Sequence, residues 1–511
     1  MPASIVFRRA CVLSLMITVL SFGVAEAAQD DAAQAIRPTR SVTHHSITID
    51  GRRIRYQATA GTLVLRNDSD EAIGSMFYVA YTRDGVDKSR RPIAFAYNGG
   101  PGSASLWLHM GSFGPVRVVN NGAQPIGPAP YRLVDNAYSL LDKTDLVFID
   151  AIDTGYSRIA GKGTTKDFFG VDEDVASFAQ FIVRYVAENG RWNSPKYLLG
   201  ESYGTTRSAA LVHRLQSRDD MNFNGVILIS TALNLQTQTF KPGNDLAYAI
   251  YLPTYAAVAW YHHALPSRPA SLEAFLDDVE KFALGDYARA LDRGALLGAA
   301  ARQRILDRLH AYTGLSKRYL AKANLRVRPE QFEKELLAEH ERTVGYLDAR
   351  FTGPTMDPLS EGSQYDPSSA AISSAYVALL NQYLHDQLGY KSTDRYRADS
   401  GRAYYHWNWN HALNGYGPDW GGFLDVAPDL AEAMKKNPNL KVLVNSGYFD
   451  FATPFYAAVY TFHHLGLPAA LQKNLRLERY PSGHMIYLKT SELIKLRHNI
   501  AAFIDATDNL R

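Results

Sequence analysis

The sequence predicts an α/β fold: a mostly parallel central sheet, antiparallel strands along its N-terminal edge, and a helical cap inserted before the last strands. Three observations carry that reading. Pro92–Tyr97, Thr144–Asp150, Tyr197–Leu199 and Gly225–Ser230 are short continuous apolar runs, as expected of strands covered on both faces. Asp174–Ala187 has helically spaced apolar residues and falls between the second and third runs. From Lys196 the chain reads KYLLGESYGTTR and then SAALVHRL, an apolar run followed by a tight turn and a helix pattern.

The elements follow in order. Residues 1–27 read as a signal peptide. Arg8 and Arg9 form a positive start, Ala10–Val24 is apolar but short for a bilayer span, and Ala25-Glu-Ala27 fits a cleavage site. The arginine pair also fits a twin-arginine signal. The expected product is exported, periplasmic or secreted, with no membrane span. Residues 28–41 form a flexible leader. Residues 42–234 are the first part of the sheet domain, and Ser46–Tyr56 holds two β runs around Asp50-Gly51, a strong hairpin signal. Thr62–Leu65 and Ser75–Tyr81 extend this antiparallel edge.

Residues 235–400 change texture. Leu272–Phe282, Ala301–Tyr312 and Pro329–Ala349 are amphipathic helix patterns, the last with proline at its first position, and no strand pattern alternates with them. This region reads as the cap insertion. Residues 401–511 resume the sheet, with strands at Leu440–Asn445 and Leu475–Tyr480 and a closing helix over Ser491–Ile504.

Composition narrows the chemistry. Hydrophobic residues make up 46% and charged residues 21% of the 511, which is ordinary for a globular protein. The net charge of +3, with no Lys/Arg block, gives no sign of nucleic-acid binding. The single cysteine, Cys11, lies within the signal segment. Disulfides, a thiol nucleophile and cysteine metal sites are therefore excluded from the expected mature chain. The pairs His44-His45, His262-His263 and His463-His464 are adjacent, and adjacent histidines do not converge on one ion as i, i+4 pairs do. No phosphate loop or dinucleotide fingerprint follows a strand, and no cofactor or metal is expected.

The candidate chemistry centres on GESYG, residues 200–204. A serine between two glycines at a strand–turn–helix junction has the pattern of a nucleophile elbow, with Ser202 as the nucleophile. A serine hydroxyl is a poor nucleophile at neutral pH and needs a base, which in turn needs an acid to orient it. Asp450 and His484 follow the last two strands in the required order, acid before histidine. That order makes the predicted fold an α/β-hydrolase. The oxyanion donors are expected to be the backbone N–H groups of Tyr203 and of Gly100 in Asn98-Gly-Gly-Pro-Gly.

Together these stretches carry a family resemblance. NGGPGSAS (98–105), GPVRV (114–118), DTGYSR (153–158), GESYGTTR (200–207), SGYFDFATP (446–454) and GHM (483–485) resemble the serine carboxypeptidases, peptidase family S10, in their bacterial branch. The resemblance implies an acyl-enzyme mechanism that removes one residue from a peptide's C-terminus. It implies that Asn98 and Glu201 bind the substrate's terminal carboxylate. Glu201 would have to be protonated to donate a hydrogen bond there, since two carboxylates repel, so peptidase activity is expected to favour acidic pH.

The sequence departs from the family at Ala96, where the family has tryptophan, and at Ser112, where well-studied members have a second glutamate. It also has GESYGTT in place of GESYAG. His109 and Arg117 are alternative carboxylate binders. Tyr404–Asn410, with Tyr416 and Trp420, fits a specificity pocket or a packed core. The competing functional readings are a serine esterase or acyltransferase with the same triad, and a non-catalytic binding protein. Side-chain preference and oligomeric state have no signal in the sequence.

Overall fold

The computed structural model describes residues 38–412 and 422–510; the signal segment, Cys11, Tyr416 and Trp420 lie outside them. Strands β1 (Arg40–Ile49) and β2 (Arg52–Arg66) meet at Asp50-Gly51. Both turn residues have positive φ, 48° and 75°, which matches the twist of the hairpin. The sheet continues through β3 (Ala72–Arg83), β4 (Ile93–Tyr97), β5 (Asp145–Ile149), β6 (Lys196–Ser202), β7 (Gly225–Thr231), β8 (Lys441–Gly447) and β9 (Leu475–Tyr480). Its spatial order is β1-β2-β3-β5-β4-β6-β7-β8-β9, with the two-residue strand Arg158–Ile159 added beside β3. The first three strands and the β3–β5 pair are antiparallel, whereas every pair from β5 to β9 is parallel. This is the α/β-hydrolase architecture with an antiparallel N-terminal edge.

Helices cover both faces because the parallel strands are apolar on both. One face packs under α1 (Val171–Glu188), α2 (Tyr203–Arg218) and α7 (Ala427–Lys436). The other lies against α6 (Pro367–Gln382) and α9 (Thr490–Thr507). Between β7 and β8 the chain runs through α3 (Leu246–Tyr261), α4 (Leu272–Phe282) and α5 (Ala299–Thr313). These form a third apolar cluster together with α8 (Phe455–His463).

Three features of residues 235–400 differ from expectation. The helix expected over Pro329–Ala349 stops at Glu335. Glu341 takes a positive φ of 53°, which ends helical geometry, and Arg342–Val344 then pairs antiparallel with Thr352–Pro354. The β-branched Thr343-Val344 favours that extended pairing, so the cap does contain a strand pair. Helix α3 was missed because it is apolar on nearly all sides and contains Pro253; it is buried rather than amphipathic. Helix α6 was also missed, although Asp366 caps it and Pro367 starts it.

The segment between the cap hairpin's strands reaches the loop after β9. Leu347 O accepts a 2.7 Å hydrogen bond from His484 N. Arg350 pairs with buried Asp348, Nη2 to Oδ2 at 2.5 Å, and donates to Ser482 Oγ at 3.0 Å. Deleting one partner of such a pair leaves an uncompensated buried charge. Arg350→Ala is therefore expected to lower unfolding stability by about 3–5 kcal/mol. Denaturant unfolding checks this; an unchanged midpoint would mean that the pair does not tie this segment to the β9 loop.

Candidate functional site

Ser202 ends β6 and begins α2. Its backbone sits at φ 62°, ψ −132°, a conformation costly for any residue with a Cβ. Close packing imposes it. A Cβ on Gly200 would lie 2.2 Å from Gly204 O, so the strand and the helix start can approach this closely only with glycine there. Thr205 adds a lock: its hydroxyl donates to Ser202 O at 2.6 Å and accepts from Ala232 N at 2.9 Å.

The candidate base and acid come from the ends of the last two strands. His484 Nδ1 lies 2.8 Å from Asp450 Oδ2, and both residues are buried. Asp450 also accepts from Thr453 N at 3.0 Å and from Thr453 Oγ1 at 2.6 Å, so its carboxylate is oriented from two sides. Burial works against a charged His484 ring, but the charge and hydrogen bond of Asp450 outweigh it and raise the imidazole pKa above its ordinary value. Ser230 takes a positive φ of 55° at an irregularity in the β6–β7 register, and its hydroxyl donates to His484 O at 2.6 Å.

The loop after β4 is pressed onto the start of α2. A Cβ on Gly99 would meet Tyr203 N at 2.4 Å, and Gly100 takes φ 104°. Buried Arg207 on α2 holds this loop. Its Nη1 donates to Asn98 O at 2.8 Å, and its Nε and Nη2 bond the Asp174 carboxylate at 2.7 and 3.2 Å. The guanidinium also lies 4.1 Å from the Phe178 ring centroid. On the far side of the loop, Ser105 N and Oγ both donate to Asp150 Oδ1 at 2.8 Å.

Asn98 and Glu201 meet in this framework. Asn98 Nδ2 donates to Glu201 Oε1 at 2.7 Å, while Asn98 Oδ1 accepts from Leu108 N at 3.0 Å. Tyr487 OH lies 3.2 Å from the same Glu201 oxygen. Glu201 Oε2 is buried without a hydrogen-bond partner. Burial lifts the Glu201 carboxyl to about 7; the nearby His484 and the hydrogen bonds from Tyr487 and Asn98 oppose that rise without cancelling it.

Ser202, His484, Glu201, Asn98, Gly100 and Tyr203 line one cavity of about 480 Å³, and Asp450 stands behind His484. The two alternative carboxylate binders are elsewhere. His109 is buried against Phe148, bonds Tyr81 OH at 2.6 Å, and is pushed down to about 3 by burial, so its ring is neutral. Arg117 lies over the Tyr138 ring. The aromatic stretch divides its roles. Tyr404 and Trp409 line the cavity, while Trp407 packs on Tyr203 with centroids 5.5 Å apart.

Residues 55–277 match the family model described as serine carboxypeptidase. The family resemblance holds. NGGPGSAS, GPVRV, DTGYSR and GESYGTTR lie inside the matched range, and the Asp450 and His484 motifs lie beyond it. The chain is also 27% identical over 157 residues to serine carboxypeptidase-like 33 of Arabidopsis thaliana, a match spanning 30% of this chain and 31% of that relative. Similar solved structures include a proline iminopeptidase from Mycobacterium smegmatis (14% identity, TM-score 0.37, 88% of this chain and 98% of that one). Feruloyl esterase B from Aspergillus oryzae is another (13% identity, TM-score 0.37, 86% and 79%). Among the described residues no helix is long and apolar enough to cross a membrane.

Sequence reasoning missed Tyr487, Thr453, Ser230 and the Asp174–Arg207 pair. Thr453 had a signal, since it lies three residues after Asp450. Arg207 closes the GESYGTTR stretch, but its partner Asp174, like Tyr487 and Ser230, is brought in by tertiary packing from a distant position.

The Glu201 carboxyl gives a stability prediction with a definite sign. Below pH 4.5 it is neutral in both folded and unfolded chains. Between 4.5 and about 7 the unfolded chain ionises while the folded one resists, so the folded state loses stability as pH rises through that window. Glu201→Gln removes this slope. Its stability relative to wild type is expected to increase from pH 4.5 to 7.5 by on the order of 3 kcal/mol. Thermal unfolding across that range checks it, and parallel pH profiles for the two proteins would contradict it.

Proposed function

We propose that the chain is an exported serine carboxypeptidase that releases C-terminal residues from peptides through an acyl-enzyme on Ser202. The observation that carries this reading is the Asn98–Glu201 pair in the same cavity as Ser202 and His484. A nucleophile beside a carboxylate-recognition pair acts on the bond next to a free C-terminus. The export part of the reading rests on the apolar run Ala10–Val24 and the Ala25-Glu-Ala27 site.

In this mechanism His484 takes the Ser202 proton as the hydroxyl attacks the scissile carbonyl. Asp450 holds the ring through Nδ1 and stabilises the imidazolium. The N–H groups of Gly100 and Tyr203 receive the developing oxyanion. His484 then returns the proton to the departing amine, and water repeats the cycle on the acyl-enzyme. Glu201, protonated below about pH 7, donates to the substrate carboxylate; its Oε2 is free of protein partners for that bond. Ser112, at the position of the family's second glutamate, donates to Leu108 O at 2.6 Å, and Tyr487 bonds Glu201 instead. A serine esterase or acyltransferase is the competing reading, because the triad is indifferent to whether water or an alcohol takes the acyl group.

Two measurements separate these. Ser202→Ala is expected to lose fluorophosphonate labelling and to cut turnover by about 10⁴-fold or more; retained labelling would remove Ser202 from its role. In wild type the ratio of peptide to ester kcat/KM is expected to fall as pH rises through about 7, where Glu201 loses its proton. In Glu201→Gln, whose amide always donates, that ratio is expected to stay flat. Ester cleavage with no peptide trimming at any pH would favour the esterase.

A further inference from the structure

The substrate cavity contains an acid that the mechanism does not use. Asp399 lines it and is open to the cleft. Among the described residues lining the cavity there is no lysine or arginine. Asp399 also borders a second, open pocket lined by Arg395, Arg397 and Arg402, of which two have other partners. Arg397 pairs with Asp153, which also accepts from Ser400 Oγ at 2.6 Å, and Arg402 lies over the Phe169 ring. Asp399 thus stands between the two pockets; burial raises its carboxyl above the ordinary value, and the hydrogen bond with the Ser103 side chain opposes that rise.

Its position along the cavity wall is fixed by the loop that holds Asn98. Asp399 is bridged through the backbone to Ser103, and the flanking bonds Ala104 N to Ala398 O (2.8 Å) and Ser400 N to Gly102 O (2.7 Å) fasten the two segments together. Trp107 Nε1 donates to Ser103 Oγ at 3.1 Å, which leaves the Ser103 hydroxyl proton for the neighbouring carboxylate. The next residue, Leu108, is the one whose N–H fixes Asn98. The acid therefore stands on the same wall as the pair assigned to the terminal carboxylate. Trp107 and the partly exposed Tyr404 and Trp409 line the same cavity, and such rings attract a cation and cover an aliphatic stem.

We propose that Asp399 is a specificity-determining residue that receives the cationic side chain of a C-terminal lysine or arginine. This rests on the carboxypeptidase reading above and names the substrates that site prefers. A dipolar C-terminal residue is then held at both ends, its carboxylate by Asn98 and Glu201 and its side-chain cation by Asp399. A charge-assisted bond in a partly desolvated cleft is worth enough to change selectivity by about tenfold or more.

The test is kcat/KM for N-acylated dipeptides ending in lysine, arginine or leucine, with wild type, Asp399→Asn and Asp399→Glu. Wild type is expected to prefer the basic residues by about tenfold or more. Asp399→Asn is expected to lose that preference while leucine release stays within about twofold, and Asp399→Glu to keep a preference. Equal rates for lysine and leucine in wild type would overturn this inference alone. An equal loss on both substrates in Asp399→Asn would show a structural role and overturn it too. No release of any C-terminal residue, with N-acyl amino-acid esters still cleaved, would overturn the carboxypeptidase reading and this inference with it.

Discussion

The backbone at Ser202 is the constraint on which the rest of the structure depends. A serine at φ 62°, ψ −132° costs on the order of 1–3 kcal/mol, and it persists only where its surroundings over-determine it. Here the surroundings are the centre of the parallel sheet. Strand β6 is paired on one side to β4 and on the other to β7, so its end cannot relax sideways. The glycines on either side let α2 start immediately, and Thr205 ties the elbow to the loop after β7. The rest of the fold puts the other groups where that hydroxyl emerges. β8 and β9 lead into the turns that carry Asp450 and His484, and β4 leads into the glycine loop.

A second layer of interactions holds these loops without facing the cavity. Arg207 joins α1, α2 and the β4 loop through Asp174 and Asn98 O. Arg350 and Asp348 hold the segment from the cap hairpin against the His484 loop, while Ser230 supports His484 from β7. Each of these is a buried polar group satisfied by another, and such networks are rigid because a half-satisfied one is costly. The segment 346–350 is therefore bonded directly to the loop that presents the candidate base.

Much of this was legible in the sequence because it is local. The Asp50-Gly51 hairpin, the buried strand runs, the elbow pentapeptide and the order of Asp450 and His484 are all short patterns with a physical reason for their spacing. The proton expected on Glu201 follows from the family resemblance, and burial raises its pKa in that direction. The parts that were not legible are tertiary. Nothing about Tyr487 in sequence places its hydroxyl on Glu201, and Ser230 reads as one more strand residue. Helix α3 lacks the amphipathic stripe by which cap helices are found, because its neighbours bury it all round. The strand pair at 342–354 was hidden by helix-compatible spacing in the residues before it, and Glu341 breaks that run. His109 shows the converse error: it lies near the right motif but points into an aromatic core.

The central claim is that a free substrate carboxylate is recognised beside Ser202. The most direct measurement is mass-spectrometric analysis of two N-acetylated peptides of identical sequence, one with a free C-terminus and one amidated, incubated with the purified protein near pH 6. The account predicts stepwise loss of single residues from the free-acid peptide and an intact amide. Equal cleavage of both peptides, or cleavage of neither alongside rapid ester hydrolysis, would contradict it.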